Sequence, residues 1–564
     1  MASTPFNADD SPARPSPRPG GTAHRLWRRD LDAYPDRGRR YAYLAIVVLT
    51  TVVLYYALYI QYAVATSIIT HYGMTYRYFV TVSVVGNAVG AFASLVAGLA
   101  DRWGRANLVV YGLLVTGLLV LFGLPNAPDK GSYLALFAVV GFIEGMVLVA
   151  TPALIRDFSP QLGRATAMGY WTMGPVLGSL VVTTVTSDTL DTSSWQDELR
   201  YAGFSALLVF VVALFALREL APRLRDQIMV SLRDRALVEA RAKGLDGSRQ
   251  PRGGWRQMMR PDVLGSAFAI SVYLLLYFAA VGNFVVYFAT AFGYTEQRAN
   301  ALANWYWAAN AIALVIAGLA SDRLRVRKPF MVAGAVGSAV CTLLFTLDAT
   351  RPATGYYTFA WLFVGIGVFG GCAYAPWMAS FTETVEKHNP AATATGLAVW
   401  GWTIRIVVAV SAAFVPIVVT SVTPLVEHGT QVAVAERTAG PALAIVDAHP
   451  ALFAELSTYP PTAVPPALLA QAAQQVGLPG LRTVQQAQPQ LAVLRQYGAQ
   501  VQRAAKDNPG NWQTWWRVCV AGQLLFLPFV FLMTGRWSPK RARADAEEHQ
   551  RSVERELAAL GAED

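Results

Sequence analysis

Residues 98–108 read GLADRWGRANL, a cluster of charged and polar residues around a glycine, wedged between two long apolar runs. A second version, GLASDRLRVRKPF, occupies Gly318 to Phe330. Both breaks stand out because the chain around them is so apolar. Of its 564 residues 54% are hydrophobic and 15% charged, and the mean hydropathy is +0.36; a soluble domain carries about 25% charged residues. Apolar stretches of the roughly 20 residues needed to cross a bilayer recur along most of the length. This composition predicts an all-α, polytopic membrane protein.

Twelve transmembrane helices are expected, at about 42–66, 78–100, 107–125, 132–155, 164–187, 199–218, 262–290, 299–320, 329–347, 356–380, 394–420 and 514–535. An even number puts both termini on one side, and the arginines say which. They crowd the N-terminal tail (Arg14, Arg18, Arg25, Arg28, Arg29, Arg37, Arg39, Arg40), the segment from Arg218 to Arg260, the two polar junctions and the C-terminal tail. Nearly all fall on alternate loops, as the positive-inside rule requires. The net charge of +10 therefore encodes orientation, with both termini cytoplasmic in an inner or plasma membrane, and does not point to nucleic acid. Trp195, Trp255, Trp512, Trp515, Trp516 and Trp537 sit near span ends, as interfacial anchors do.

Residues 1–41 read as a disordered basic tail, lacking an apolar core and rich in Pro, Arg and Gly. Residues 42–218 and 262–535 hold six spans each, joined by a basic linker at 219–261 whose LRDRALVEARAKG suggests a short amphipathic helix. Residues 421–513 read as an extracytoplasmic insert of short helices broken by prolines, and 536–564 as a charged cytoplasmic tail. Cys341, Cys372 and Cys519 all lie inside apolar runs and read as small buried residues, without a disulfide framework. The sequence shows no nucleotide loop, metal-ligand cluster or nucleophile constellation, which argues against an enzyme, a metal, a cofactor or ATP as energy source.

The halves echo each other. Downstream of GLADRWGR lies GRATAMGYW (Gly163–Trp171), and downstream of GLASDRLR lies AATATGLAVW (Ala391–Trp400), sharing Ala-Thr-Ala-x-Gly at Ala165–Gly169 and Ala392–Gly396. Two echoes in one order at similar separation imply two homologous, pseudo-symmetric six-helix bundles, a recurring transporter architecture.

On these residues the chain resembles the major facilitator superfamily, over essentially all twelve spans. GLADRWGR is similar to that family's signature loop between the second and third helices, G-x-L-A-D-R-x-G-R-R/K. Asp101, Arg102, Gly104 and Arg105 match, while the leading glycine position is Ala97, with Gly98 one place later. The second copy keeps Gly318, Asp322 and Arg323 but has Arg325 where the turn glycine would stand. The resemblance implies alternating access, with Asp101, Arg102, Gly104, Arg105, Asp322 and Arg323 as gating residues and Asp101 bonding across to the other half. Read without the second copy, the loop is a short helical hairpin obeying positive-inside.

Ionisable residues in the middle of spans are expensive and are functional candidates by default. Glu144, in VVGFIEGMVLVATP of the fourth span, and Arg405, in VWGWTIRIVVAV of the eleventh, each lie roughly 16–18 Å deep. They come from opposite halves, as residues facing a central cavity would. Two roles suit Arg405: gripping a carboxylate or phosphate with its planar guanidinium, or serving as a structural partner for Glu144 or a carbonyl. Glu144 suits a coupling proton or a structural hydrogen bond near the Gly141/Gly145 contact. The fourth-to-fifth stretch resembles organic-anion members of the family, and an arginine in the eleventh helix resembles the oxalate/formate exchanger type. Gly174-Pro175-x-x-Gly178 resembles, in shorter form, the fifth-helix motif of drug antiporters.

Aromatic and amide residues such as Tyr59, Tyr277, Asn283 and Trp307 suit a cavity for a small organic substrate, with helix packing as their alternative role. Gly86, Gly90, Ser94 and Gly98 at four-residue spacing read as close helix packing. Together these features predict a secondary active transporter, working as a monomer and moving a small organic anion, a carboxylate, with protons. The alternatives are a proton-driven exporter of drugs or metabolites, and a transporter-like sensor.

Overall fold

Within a bilayer each backbone N–H and C=O must find its partner inside the segment, so apolar runs of this length fold as helices. The computed structural model describes residues 29–96, 104–158, 170–221, 258–388, 393–460 and 463–541, with isolated positions outside them. In the first half the spans are Arg37–Ala63 with its continuation Ala65–Tyr72, Tyr76–Val96, Arg105–Leu118 prolonged by turns to Asn126, Lys130–Phe158, Gly174–Thr189 and Trp195–Ala216. In the second they are Pro261–Tyr273 with Leu275–Phe292, Glu296–Leu324, Lys328–Asp348, Tyr356–His388, Thr393–Val418 and the membrane part of Ala499–Leu532. Among the described residues ten helices are long and apolar enough to cross a membrane; Tyr76–Val96 and Gly174–Thr189 complete the twelve.

Polar residues set the helix ends. Ser194 and Asp197 close a reciprocal cap at the start of the sixth span, and the Thr295 hydroxyl accepts from the Arg298 N–H at the start of the eighth. Ahead of the fourth span, Asp129 accepts from the Gly131 and Ser132 N–H groups at 2.7 and 3.0 Å. Those bonds, with that from the Ser132 hydroxyl, hold its carboxyl below the usual range, the Ser132 N–H contributing most.

Within each half several spans meet backbone to backbone, and one such pair recurs in both halves. A Cβ on Gly141 of the fourth span would stand 2.5 Å from the Gly86 carbonyl of the second, and one on Gly90 would stand 2.8 Å from the Gly141 carbonyl. The second half repeats this: a Cβ on Gly367 of the tenth span would stand 2.6 Å from the Tyr306 carbonyl, and one on Gly371 2.9 Å from the Leu314 nitrogen, both on the eighth. Such approach is how helices gain contact in lipid, where no hydrophobic effect drives them together. The glycine stripe is thus close packing at Gly86 and Gly90; Gly98 lies outside the described residues.

Two boundaries differ from expectation. Residues 29–41, read as disordered tail, are ordered: Asp30 and Leu31 pair in parallel with Glu219 and Leu220 just past the sixth span, and the first helix starts at Arg37. The Arg29 guanidinium, 1% exposed, donates to Asn107 Oδ1 at 3.0 Å and to the Leu214 carbonyl at 2.6 Å, capping the sixth helix's free carbonyls. Residues 1–28 and 225–257, including the amphipathic stretch, lie outside the described residues.

The insert is more regular than its prolines suggested. Val422–Ala448 is one 27-residue helix that carries Pro441, and the last helix begins at Ala499, well before the membrane part expected from 514. The two run side by side, with Pro450–Leu456 and Pro466–Gln486 at the tip. Ala439 and Ala442 of Val422–Ala448 pack with Val484 of Pro466–Gln486 and Leu491 of Gln488–Val493 in a small core. At its base Val422–Ala448 touches Ala65–Tyr72 and Tyr76–Val96 of the first half as well as Leu275–Phe292 of the second.

A methyl group at Gly145 would fall on the Gly90 carbonyl, whereas Gly401 of the eleventh span has nothing within 4 Å. Gly145→Ala is expected to cost about 1–3 kcal/mol and to lower the unfolding temperature in detergent. Gly401→Ala should be neutral or gain up to about 1 kcal/mol in helix propensity. Equal midpoints would show that the second–fourth contact contributes no stability.

Candidate functional site

A cavity of about 250 Å³ lies between the halves, bordered by residues from both. Its wall follows helical periodicity: Tyr55, Tyr59 and Tyr62 on the first span, Ser83 and Asn87 on the second, Tyr273 and Tyr277 on the seventh, Tyr306 and Asn310 on the eighth. Glu144 and Arg405 are the charged residues among the described lining.

The glycine contact positions that pair. Because Gly90 has no side chain, the site of its missing Cβ lies 3.2 Å from Arg405 Nη1 and 3.5 Å from Glu144 Oε2. A guanidinium from the second half therefore reaches across the second span towards a carboxylate that is 7% exposed. No ion pair joins the two among the described residues.

Of the residues singled out from sequence, Tyr59, Tyr277, Asn283, Glu144 and Arg405 line the cavity. Trp307 does not. It is 1% exposed, with its ring edge-on to Tyr277 at 5.2 Å and against Tyr306 at 4.6 Å. On the eighth span Tyr306 and Asn310, four residues apart, take the cavity face, and the next position round the helix points into the wall. Asn283 is already engaged, its Oδ1 accepting from the Tyr76 hydroxyl at 2.6 Å.

That bond belongs to a seam at the end of the bundle bearing the insert. Glu296, at the start of the eighth span, accepts from Thr66 Oγ1 and Ser67 Oγ at 2.5 Å each and from the Ser67 N–H at 2.9 Å. One turn on, Asn300 Nδ2 donates to the Ala63 carbonyl at 2.9 Å. A further turn on, Asn304 accepts from Thr183 Oγ1 at 2.5 Å and donates to Ser187 Oγ at 3.1 Å. One face of the eighth span is thus stitched to the first and fifth. Sequence reading missed this ladder, although three polar residues at four-residue spacing in an otherwise membrane-spanning helix were its signal.

At the opposite end lie the two polar junctions. Asp101 and Arg102 lie outside the described residues. Gly104 takes φ 89, a backbone favouring glycine. Arg105 pairs with Asp157 at the end of the fourth span at 2.7 Å, and its N–H donates to Glu219 at 2.9 Å. In the second copy Arg325, standing for the glycine, also turns left-handed at φ 56. Arg327 there pairs with Asp322 at 2.5 Å and with Glu383, at the end of the tenth span, at 3.2 Å; Arg323 is exposed. Each copy therefore ties its turn to the helix after next within its own half.

Removing the acceptor of three bonds should loosen the seam. With Cys341, Cys372 and Cys519 replaced, a cysteine at the cavity-lining Val80 is expected to react with an impermeant maleimide from the insert side several-fold faster in Glu296→Ala than with Glu296 intact. Identical labelling rates would mean that these bonds do not hold the halves together.

The sequence profile of the Major Facilitator Superfamily matches residues 47–295 and again 266–534. No curated protein matches the sequence. Among solved structures, the inward-facing, occupied form of a bacterial homolog to the human lysosomal transporter Spinster gives a TM-score of 0.57 at 13% identity, covering 88% of this chain and 97% of that one. Its unoccupied form gives 0.58 at 14%, covering 90% and 100%. The D-xylose-proton symporter gives 0.52 at 14%, covering 67% and 90%. At such identities the likeness is one of fold. With two profile matches that take in nearly all the spans, and two related six-helix halves around a central cavity, the chain belongs to the major facilitator superfamily, and it is a membrane transporter, not an enzyme.

Proposed function

We propose that this transporter moves a small organic carboxylate together with protons by alternating access, as a monomer in the inner or plasma membrane, with both termini cytoplasmic and the insert outside. The observation that carries this reading is the placement of Arg405 and Glu144, both in the cavity lining, within 3.5 Å of the one empty Cβ position at Gly90. Guanidinium offers paired donors matched to a carboxylate. Uncompensated charge is costly at this depth. Arg405 with ionised Glu144 is neutral overall; an arriving carboxylate makes the site negative, and a proton on Glu144 returns it to neutrality. Substrate and proton thus load together, one for one. Proton symport is also what the D-xylose-proton symporter, of similar fold, is named for.

In this scheme the seam at Glu296, Asn300 and Asn304 holds the insert end shut while the other end opens. The junction residues Asp101, Arg102, Gly104, Arg105, Asp322 and Arg323 govern the cytoplasmic end. Seven tyrosines around the cavity favour one alternative, proton-driven export of amphipathic compounds, for which Arg405 would be dispensable.

Two measurements separate these readings. Carboxylates are expected to raise the unfolding temperature of the purified wild type and to drive counterflow in proteoliposomes. Arg405→Ala should abolish both effects, and Arg405→Lys should weaken binding about tenfold or more, since a point charge replaces the fork. Stabilisation that survives in Arg405→Ala would end the carboxylate reading. Glu144→Gln should retain exchange yet lose accumulation driven by a pH gradient; undiminished accumulation would remove Glu144 from proton coupling.

A further inference from the structure

The second half's side of the cavity carries polar groups that nothing among the described residues satisfies. Gln523, on the twelfth span, lines the cavity and is 2% exposed, and its amide oxygen has no hydrogen-bond partner. Two turns earlier on the same helix, the indole N–H of Trp515, 3% exposed, is also unpartnered at the wall. The helix is pressed in place at this level: a Cβ on Gly522 would stand 2.6 Å from the Val272 carbonyl of the seventh span. Buried polar atoms are nearly always paired, so an orphan acceptor facing a binding cavity is a position where a bound molecule's donor gains most.

Building on the carboxylate reading, we propose that Gln523 determines specificity for a second polar group: the transported acid is a hydroxycarboxylate whose O–H donates to the Gln523 amide oxygen. The Trp515 N–H, a donor only, about 12 Å away along the helix, is left to another acceptor on the substrate. The chemistry of the wall selects a hydroxyl over other groups. A second carboxylate only accepts, so it leaves the amide oxygen unpaired, and it adds a charge that no further cation among the described lining residues balances. An ammonium group would draw on Glu144, the one acidic residue among the described lining and the one that holds the coupling proton. A plain hydrocarbon leaves both orphans as they are.

The probes are two matched pairs, lactate with propionate and 3-phenyllactate with 3-phenylpropionate, each measured for binding by thermal shift and by inhibition of counterflow. Wild type is expected to bind the hydroxy member of at least one pair about tenfold or more tightly than its partner, because a site built for a hydroxyl rejects the analogue lacking it. Gln523→Met, similar in length and without the amide, should bind both members alike; Arg405-dependent binding of the deoxy acid by this variant reports a folded site. Gln523→Asn, which keeps the amide but withdraws it, should give an intermediate preference and serves where the methionine variant does not fold. Equal binding of both members by wild type, or a preference undiminished in the variants, overturns the proposal while Arg405-dependent binding still upholds the carboxylate reading. If none of the four acids binds in an Arg405-dependent way, the carboxylate reading fails, and this inference with it.

Discussion

The arrangement depends on one close approach in the middle of the membrane. Gly90 of the second span lies so near Gly141 and Gly145 of the fourth that no side chain fits between them. That approach supplies contact area where lipid offers no hydrophobic drive. It also clears the path along which Arg405 reaches from the other half towards Glu144. In a low-dielectric interior neither charge is tolerable alone, so the void left by one glycine lets two costly groups share a site without clamping onto each other. In the proposed scheme a short ion pair would have to break before substrate binds; apart from each other beside Gly90, the two leave room for a third group.

Around this centre the two ends of the bundle are built on different principles. The insert end is closed by hydrogen bonds that run between the halves, through Glu296, Asn300 and Asn304. Such bonds can be exchanged for water when the end opens, so each is modest in net strength and suited to a reversible seam. At the other end the described ion pairs run within a half, from Arg105 to Asp157 and from Arg327 to Glu383. They make each half a rigid unit instead of tying it to its neighbour. Rigid halves joined by a reversible seam are what rocking about a central site requires. Val422–Ala448, continuous with the second half yet touching the first, lies across the same seam.

Hydropathy and the repeat made the twelve spans and the two halves legible, and the depth of Glu144 and Arg405 followed from residue counts along straight helices. Arg325 was readable as the turn position because the repeat aligned it with Gly104. What escaped was rotation. The run Trp305-Tyr306-Trp307 turns through successive faces of the eighth span, so Trp307 was placed on the wall when Tyr306 holds that position. The ion-pair carboxylates Asp157 and Glu383 stand at similar distances ahead of the two Ala-Thr-Ala-x-Gly cores, an echo that aligning the halves would have shown. Arg29 and the Asp30–Leu31 pairing escaped because a basic, proline-rich composition describes the average of a tail and says nothing about the few residues that dock.

The repeat also explains why a chemically asymmetric site grows from a symmetric frame. Arg405 corresponds to Gly178 counted from the Ala-Thr-Ala-x-Gly cores, and Glu144 beside Gly145 to Gly370 beside Gly371 counted from Asp157 and Glu383; the backbone approaches of Gly86 to Gly141 and of Tyr306 to Gly367 pair Gly86 with Tyr306 and hence Gly90 with Asn310. Each functional side chain in one half thus faces a glycine at its counterpart in the other. The geometry preserves the exchange: a Cβ on Gly90 would stand 3.5 Å from Glu144 Oε2, and one on Gly370 would stand 3.3 Å from Asn310 Nδ2. Within each half there is room for one side chain at this level, and the first half places it on the fourth span, the second on the eighth. Backbone approach is the conserved element of the duplication, and the choice of which helix gives up its side chain is what sets a charged wall opposite a neutral, hydrogen-bonding one.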